Sequence, residues 1–329
     1  MVGGRRGDRP GRVAGRAARR RPAVVGSAAA ARGRSTIVRI EYVVLLSCVA
    51  IWGSLHPVAK LTLREITGPQ LALSRVLLGG GALLLFCLLS GRGRKLVEAA
   101  RTGLGPALVL ATTGFLGSSL LTMTALAYLP AAVNTLVSNL APLFVALGGF
   151  LFLGEPVTRR ALLGVVLGFA GVALLALGGA AGGPLTAQTL LGVLLGLVGS
   201  ASWAVYTLYG RRAVAGRDPV AVTALATVLG SLQTGLVVGL TDGFGRLLAA
   251  STPTWLLLLW CGVAATGVAF AGWVWSLRRL QAARVAVFQY AIPPLAVLFA
   301  VLLLGEPITP ALVAALPLIV LSVALAQRT

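Results

Sequence analysis

The sequence predicts an all-α integral membrane protein, with ten transmembrane helices laid out as two inverted five-helix repeats. Three observations predict it. Of 329 residues, 57% are hydrophobic and only 11% charged, against roughly 25% charged in an ordinary soluble domain. The charges fall in short clusters. Between them lie uncharged runs long enough, singly or in pairs, for the helices of about 20 residues that cross a bilayer. Finally, the triplet Gly154-Glu155-Pro156 returns as Gly305-Glu306-Pro307, at an offset of 151 residues.

Taken in order, Tyr42 to Ala59 is the first span and Gln70 to Ser90 the second, broken only by Arg75. Thr102 to Gly154 holds two spans, divided at Tyr128-Leu129-Pro130, since proline ends or starts helices. Ala161 to Gly210 again holds two, divided by the glycine-rich stretch from Gly178 to Pro184. Pro219 to Thr241, Trp255 to Leu277 (entered through Ser251-Thr252-Pro253), Val285 to Gly305 and Pro307 to Gln327 complete the ten. All are continuously apolar, unlike the alternating segments of about ten residues that build membrane barrels.

Residues 1–39 are rich in Arg, Gly and Ala and lack an apolar core of signal-peptide length. They are expected to form a disordered basic cytoplasmic tail that meets anionic lipid headgroups. The first repeat is then expected at 40–178 and the second at 184–328. The net charge of +20 does not signal nucleic acid, because basic residues punctuate apolar runs instead of covering one folded face. With the N-terminus inside, the tail, the even-numbered connections and the C-terminus carry 24 Lys and Arg. The other side carries Lys60, Arg64 and Arg246. This positive-inside asymmetry puts both termini in the cytoplasm of a bacterial inner membrane. The expected partners are the bilayer and a small-molecule substrate, with no nucleic acid; a homodimer is left open.

The duplication extends well beyond one triplet. Between Ala125–Leu175 and Ser276–Ala326, 16 of 51 positions are identical without a gap, and Trp52 meets Trp203 at the same offset. Five helices per copy force the second copy to run opposite to the first. The charges agree: Arg159-Arg160 corresponds to Pro310-Ala311, and Ala127-Tyr128 to Arg278-Arg279. Inverted repeats of this kind enclose a midplane substrate site in secondary transporters.

Candidate functional residues follow from the cost of polar groups in lipid. Arg75 lies inside the second span, where it either snorkels to the interface or meets an anionic substrate group. His56, the single histidine, precedes Pro57 and is a proton-coupling candidate. Uncharged candidates for substrate binding are Trp52, Ser54, Asn134, Ser138, Asn139, Trp203, Tyr206, Trp273, Gln289 and Tyr290, with Ser118, Ser119, Thr122 and Tyr209 as further polar positions. Each could instead serve interhelical hydrogen bonding. Ser138 and Gln289, and Asn139 and Tyr290, are equivalent at the repeat offset and stand just before Pro142 and Pro293, which ranks them first. Glu155 and Glu306 are read as caps or loop anchors. Gly164/Gly168, Gly192/Gly196 and Gly235/Gly239 fit small-residue contact faces. Cys48, Cys87 and Cys261 lie in separate apolar runs and read as packing residues. No catalytic residue, metal site or cofactor is expected, since paired intramembrane carboxylates, His-Glu-x-x-His and a Gly-x-x-x-x-Gly-Lys loop are all missing from the sequence.

Five segments carry a family resemblance: Ala50-Ile51-Trp52-Gly53-Ser54, Leu73-Ser74-Arg75, Ala125-Leu126-Ala127-Tyr128-Leu129-Pro130-Ala131, Leu140-Ala141-Pro142-Leu143 and Gly154-Glu155-Pro156 with its echo. Over roughly 42–327 the chain resembles EamA-type members of the drug/metabolite transporter superfamily. The resemblance implies ten helices, alternating access and secondary transport of small metabolites, amino-acid-like or related, with export expected here. An uncoupled facilitator is the alternative reading, and a membrane-embedded enzyme a more distant one. The second copy departs from the family pattern at Arg278-Arg279-Leu280-Gln281.

Overall fold

The computed structural model describes residues 27–153, 158–178, 186–277, 279–280 and 282–326. The expected tail, apart from residues 27–39, lies outside this range, as do the Gly154-Glu155-Pro156 turn and most of the 178–184 linker. The chain forms two units, Met1–Ile40 and Glu41–Thr329. Of the first, the described part is the beginning of a helix; the second holds everything below.

Among the described residues eight helices are long and apolar enough to cross a membrane: α1 (Ile40–Thr62), α2 (Gly68–Leu89), α3 (Leu104–Tyr128), α4 (Ala131–Phe152), α5 (Arg159–Leu177), α6 (Ala187–Gly210), α7 (Pro219–Thr241) and, later in the chain, Val287–Leu304. Between α7 and the last of these lies a shorter apolar helix, α8 (Thr252–Val268), so that Val287–Leu304 is α9; a second short one, α10 (Pro310–Leu325), ends the chain. Helix α8 runs on directly through Ala269–Leu277, and the helical segment Ala282–Gln289 runs into the start of α9. Two helices were not expected: Gly93–Thr102, carrying Arg94, Lys95, Glu98 and Arg101, and the single turn Gly245–Leu248, carrying Arg246. The sequence reading had placed those charges in a loop.

Local chemistry sets the helix starts. Thr67 and Gln70 form a capping box, each side chain bonded to the other's backbone N–H, with proline next in line at Pro69. Asp218 accepts from the N–H groups of Val220 and Ala221 at 3.0 and 3.1 Å, ahead of Pro219. Thr158, Thr186 and Ser251 cap α5, α6 and α8 in the same way.

The repeat is visible in the helix interruptions. The first copy breaks between Ala131–Ser138 and Ala141–Leu153, the second between Ala282–Gln289 and Ile292–Leu304. Every one of these bounds is shifted by the sequence offset. Pro142 and Pro293 follow the breaks, and a proline lacks an N–H and crowds the carbonyl four residues back. Those carbonyls belong to Ser138 and Gln289. In the first copy Ser200 Oγ donates to the carbonyls of Val137 and Ser138, at 3.0 and 3.4 Å. A second shared feature is a π-helical stretch, Ala111–Ser118 in α3 and Trp260–Val268 in α8. Each hands a carbonyl to the first helix of the other copy. Ser202 Oγ donates to Thr113 at 2.7 Å, and Trp52 Nε1 donates to Ala265 at 2.9 Å.

Small residues bring the helices close. A Cβ on Gly192 would stand 2.7 Å from Leu129, and one on Gly196 2.8 Å from Val137, so that expected face is a tight contact of α6. Gly235 and Gly239 meet nothing nearer than 3.7 and 3.4 Å, an ordinary packing distance. The buried core joins α1, α2, α3 and α4 around Leu71, Met123, Leu126 and Leu136. Outward, large apolar side chains are bare, Phe152 at 82% and Leu240 at 78% exposure. A water-soluble fold would bury such groups; a lipid-facing one has no reason to. The three cysteines are buried and free.

Candidate functional site

The interrupted helices and the π-helical stretches frame one large cavity of about 1350 Å³, above the roughly 300–1,000 Å³ of ordinary ligand pockets. Its lining draws on both copies in equivalent pairs: Trp52 and Trp203, Ser138 and Gln289, Asn139 and Tyr290, Pro142 and Pro293. Helix α2 adds Arg75, α1 adds His56, α3 adds Ser118, Ser119 and Thr122, and α8 with its continuation adds Thr266 and Trp273.

Aromatic rings furnish the walls. Trp52 and Trp273 lie with centroids 5.1 Å apart and tilted by 54°. Trp203 stacks on Tyr206 at 4.8 Å, and Phe115 meets the Tyr206 edge at 5.7 Å. Tyr206 fits only because position 114 is glycine: a Cβ there would run into the ring. Among the polar groups, Asn139 Nδ2 donates to the Thr135 carbonyl at 2.8 Å. His56 Nδ1 and Thr135 Oγ1 share a hydrogen bond of 2.8 Å. Ser119 Oγ and Ser138 Oγ are buried without a protein partner. Arg75 Nε is likewise buried and unbonded, and its side chain lines the cavity.

Two candidates stand apart from the lining. Ser54 is 5% exposed; it donates to the Ile51 carbonyl at 2.9 Å and accepts from Trp260 Nε1 at 3.1 Å. Asn134 is fully buried and donates to the Thr122 carbonyl at 3.2 Å. Both tie helices together. Tyr209 faces a separate, smaller hollow beside Phe144 and Leu208. The sequence reading missed Phe115, Ser200, Thr223 and Thr266 on the cavity wall; Phe115 and Thr266 are equivalent at the repeat offset.

The two ends of the bundle differ. At one end the cavity wall reaches Arg92, Pro219, Trp275 and Arg279 beside the basic connections. Arg92 and Lys95 meet Asp218 at 3.6 and 3.1 Å, and Arg279 meets Glu41 at 3.6 Å. Burial pushes the Asp218 carboxyl up, but the N–H of Ala221 and the Lys95 ammonium outweigh it and hold the group below its ordinary value. None of the ties at the other end belongs to the lining. There Glu306 accepts from the N–H groups of Ala131 and Ala132 at 2.6 and 3.1 Å, closing the second copy onto the α4 start of the first. Gly305, at φ +64°, allows the turn, with Gly305 N–H on Val301 and Glu306 N–H on Ala300. Lys60 Nζ donates to the Leu126 and Leu129 carbonyls at the α3 end, at 2.5 and 2.7 Å. Glu65 accepts from the Ser251 N–H and hydroxyl, both at 2.7 Å, and these donors lower its pKa, the backbone bond most. Thr67 donates to Asp242, and Gln70 to the Gly243 carbonyl, at 2.7 and 2.8 Å. Among the described residues no cluster of three or more metal-ligating side chains occurs.

Comparison with known proteins gives a consistent picture. The profile of the EamA-like transporter family matches residues 39–177 and again 190–327. An uncharacterized transporter of Archaeoglobus fulgidus is 27% identical over 201 residues, 61% of this chain and 69% of that protein. The uncharacterized transporter YvbV of Bacillus subtilis is 29% identical over 200 residues, 61% of this chain; the match spans 64% of YvbV. A solved crystal structure superposes with a TM-score of 0.59 over 88% of this chain and 96% of its own, at 24% identity, a likeness of fold.

Proposed function

Because the chain belongs to the EamA-like transporter family, and is therefore a multi-pass membrane transporter, we propose that it exports a small organic metabolite across a bacterial inner membrane by alternating access. The proposed architecture is ten crossings in two inverted repeats, 40–178 and 184–328, with both termini in the cytoplasm. One observation carries this reading: the cavity is walled by equivalent residues of both copies, reaches the loops at the basic end, and stops short of a row of polar ties at the other. With the basic end cytoplasmic, this arrangement faces inward, the state in which an exporter would load. Related copies run in opposite senses would let the same contacts form at either end, which is the exchange alternating access needs.

Within this reading Trp52, Trp203, Tyr206, Trp273, Ser138, Asn139, Gln289 and Tyr290 line the path of the solute, with Arg75 as its charged contact. His56, bonded to Thr135 on the cavity wall, is the proton-coupling candidate, since among the described residues no Asp or Glu lines the cavity. The test is transport by the purified protein in proteoliposomes carrying an imposed proton gradient. Accumulation above equilibrium that collapses with an ionophore is expected. Equilibration alone would mark an uncoupled facilitator, and chemical conversion of the solute an enzyme.

A further inference from the structure

We infer that the solute is an organic monoanion with an aromatic or bulky apolar body, and that Arg75 is its counter-ion. This rests on the transporter reading of the cavity and narrows it. The argument is an accounting of charge. Three arginines line the cavity: Arg75, Arg92 and Arg279. Arg92 has Asp218 at 3.6 Å, and Arg279 has Glu41 at 3.6 Å. Arg75 has no carboxylate partner and donates no hydrogen bond among the described residues; its Nε is buried and bare.

Every described carboxylate is accounted for elsewhere. Glu41 and Asp218 hold the two arginines just named, Glu65 holds Ser251, Asp242 holds Thr67, and Glu306 holds the α4 start. Glu98 is exposed on the amphipathic helix Gly93–Thr102. The ionisable groups in electrostatic reach of Arg75 are His56 and Cys261, neither of them a carboxylate. A guanidinium held in a membrane interior without an anion is costly. Its planar fork suits a carboxylate, which would supply both the missing charge and the missing acceptors.

Among the described lining residues one cation lacks a carboxylate, which suits a single negative charge and not a polyphosphate. With no carboxylate on the described wall, an ammonium group would find no ionic partner, which disfavours cations and free amino acids. The rings of Trp52, Trp273, Trp203 and Tyr206 provide apolar faces for the body of the solute.

The test is calorimetric titration of the purified full chain with four compounds of one skeleton: 3-phenylpropionate, its amide, phenethylamine and phenylalanine. The acid is expected to bind at least about tenfold more tightly than the others. Arg75→Gln should erase that preference by weakening the acid far more than the amide, and Arg75→Lys should retain part of it; the thermal midpoint of each variant checks folding. Equal or tighter binding of the amine or amino acid, no binding of the acid, or an undiminished acid preference in Arg75→Gln would overturn the proposal. The outcome is separate from the transport reading. Acid binding without vectorial movement in proteoliposomes would refute transport and leave the anion site standing.

Discussion

At the scale of single residues, the cavity separates side chains that composition alone treats as alike. Asn134 and Asn139 lie five positions apart, yet the first is sealed between helices and the second faces the cavity. Substituting Asn139→Ala or Tyr290→Ala should change the KM or rate of transport at least about threefold while leaving the thermal midpoint within a degree or two. Asn134→Ala should do the reverse. It strips the hydrogen bond to Thr122 and should cost on the order of 1–3 kcal/mol, seen as a lower midpoint, with KM unaltered. Transport assays paired with melting curves decide both. The sequence reading could name these residues as polar groups in lipid but could not orient them. Orientation depended on the helix break ahead of Pro142, which shifts the angular register of everything around it. Trp52 and Trp203 were more legible, because duplication at a fixed offset flagged them without any knowledge of helix phase.

At the scale of elements, the helix ends do the work of closing one side. The Glu306 carboxylate sits on two free N–H groups at the start of α4, where the helix dipole also favours a negative charge. Removing it in Glu306→Ala should weaken this closure by about 1–2 kcal/mol. Spin labels at Tyr128 and Ile308 should then report a longer, broader distance distribution than in the parent. At the opposite end, Asp218 caps α7 and pairs with Lys95 and Arg92. Its folded pKa lies below the 3.8 of an ordinary aspartate, so its stabilising contribution is full above that value and is lost as the pH falls through the folded pKa. A melting series should show the parent losing stability below about pH 4, and Asp218→Asn starting lower and losing less over the same range. Most element boundaries were readable in advance from proline, glycine and charge. The two π-helical stretches were not, because the change of period they bring leaves no mark in runs that are uncharged throughout. The amphipathic helix Gly93–Thr102 was hidden by its charges, which a search for uncharged runs discards.

At the scale of the whole molecule, two facts from sequence carried most of the architecture: uncharged runs of membrane length and an ungapped internal repeat. The structure adds that the break in α4 recurs within α9 at the same offset, and that equivalent residues of the two copies line one cavity. What the sequence left open was which end is shut, because that is decided by a few polar ties between loops far apart in the chain, such as Glu65 with Ser251. The central claim is that this cavity opens to one face of the membrane and then to the other. It is tested most directly by placing a single reactive cysteine on the wall, Ser118→Cys, against a background in which Cys48, Cys87 and Cys261 are buried. An impermeant thiol reagent is then applied separately to each face. The account predicts modification from the basic face at rest, and from the opposite face once solute and gradient drive turnover; modification from one face alone under every condition would contradict it.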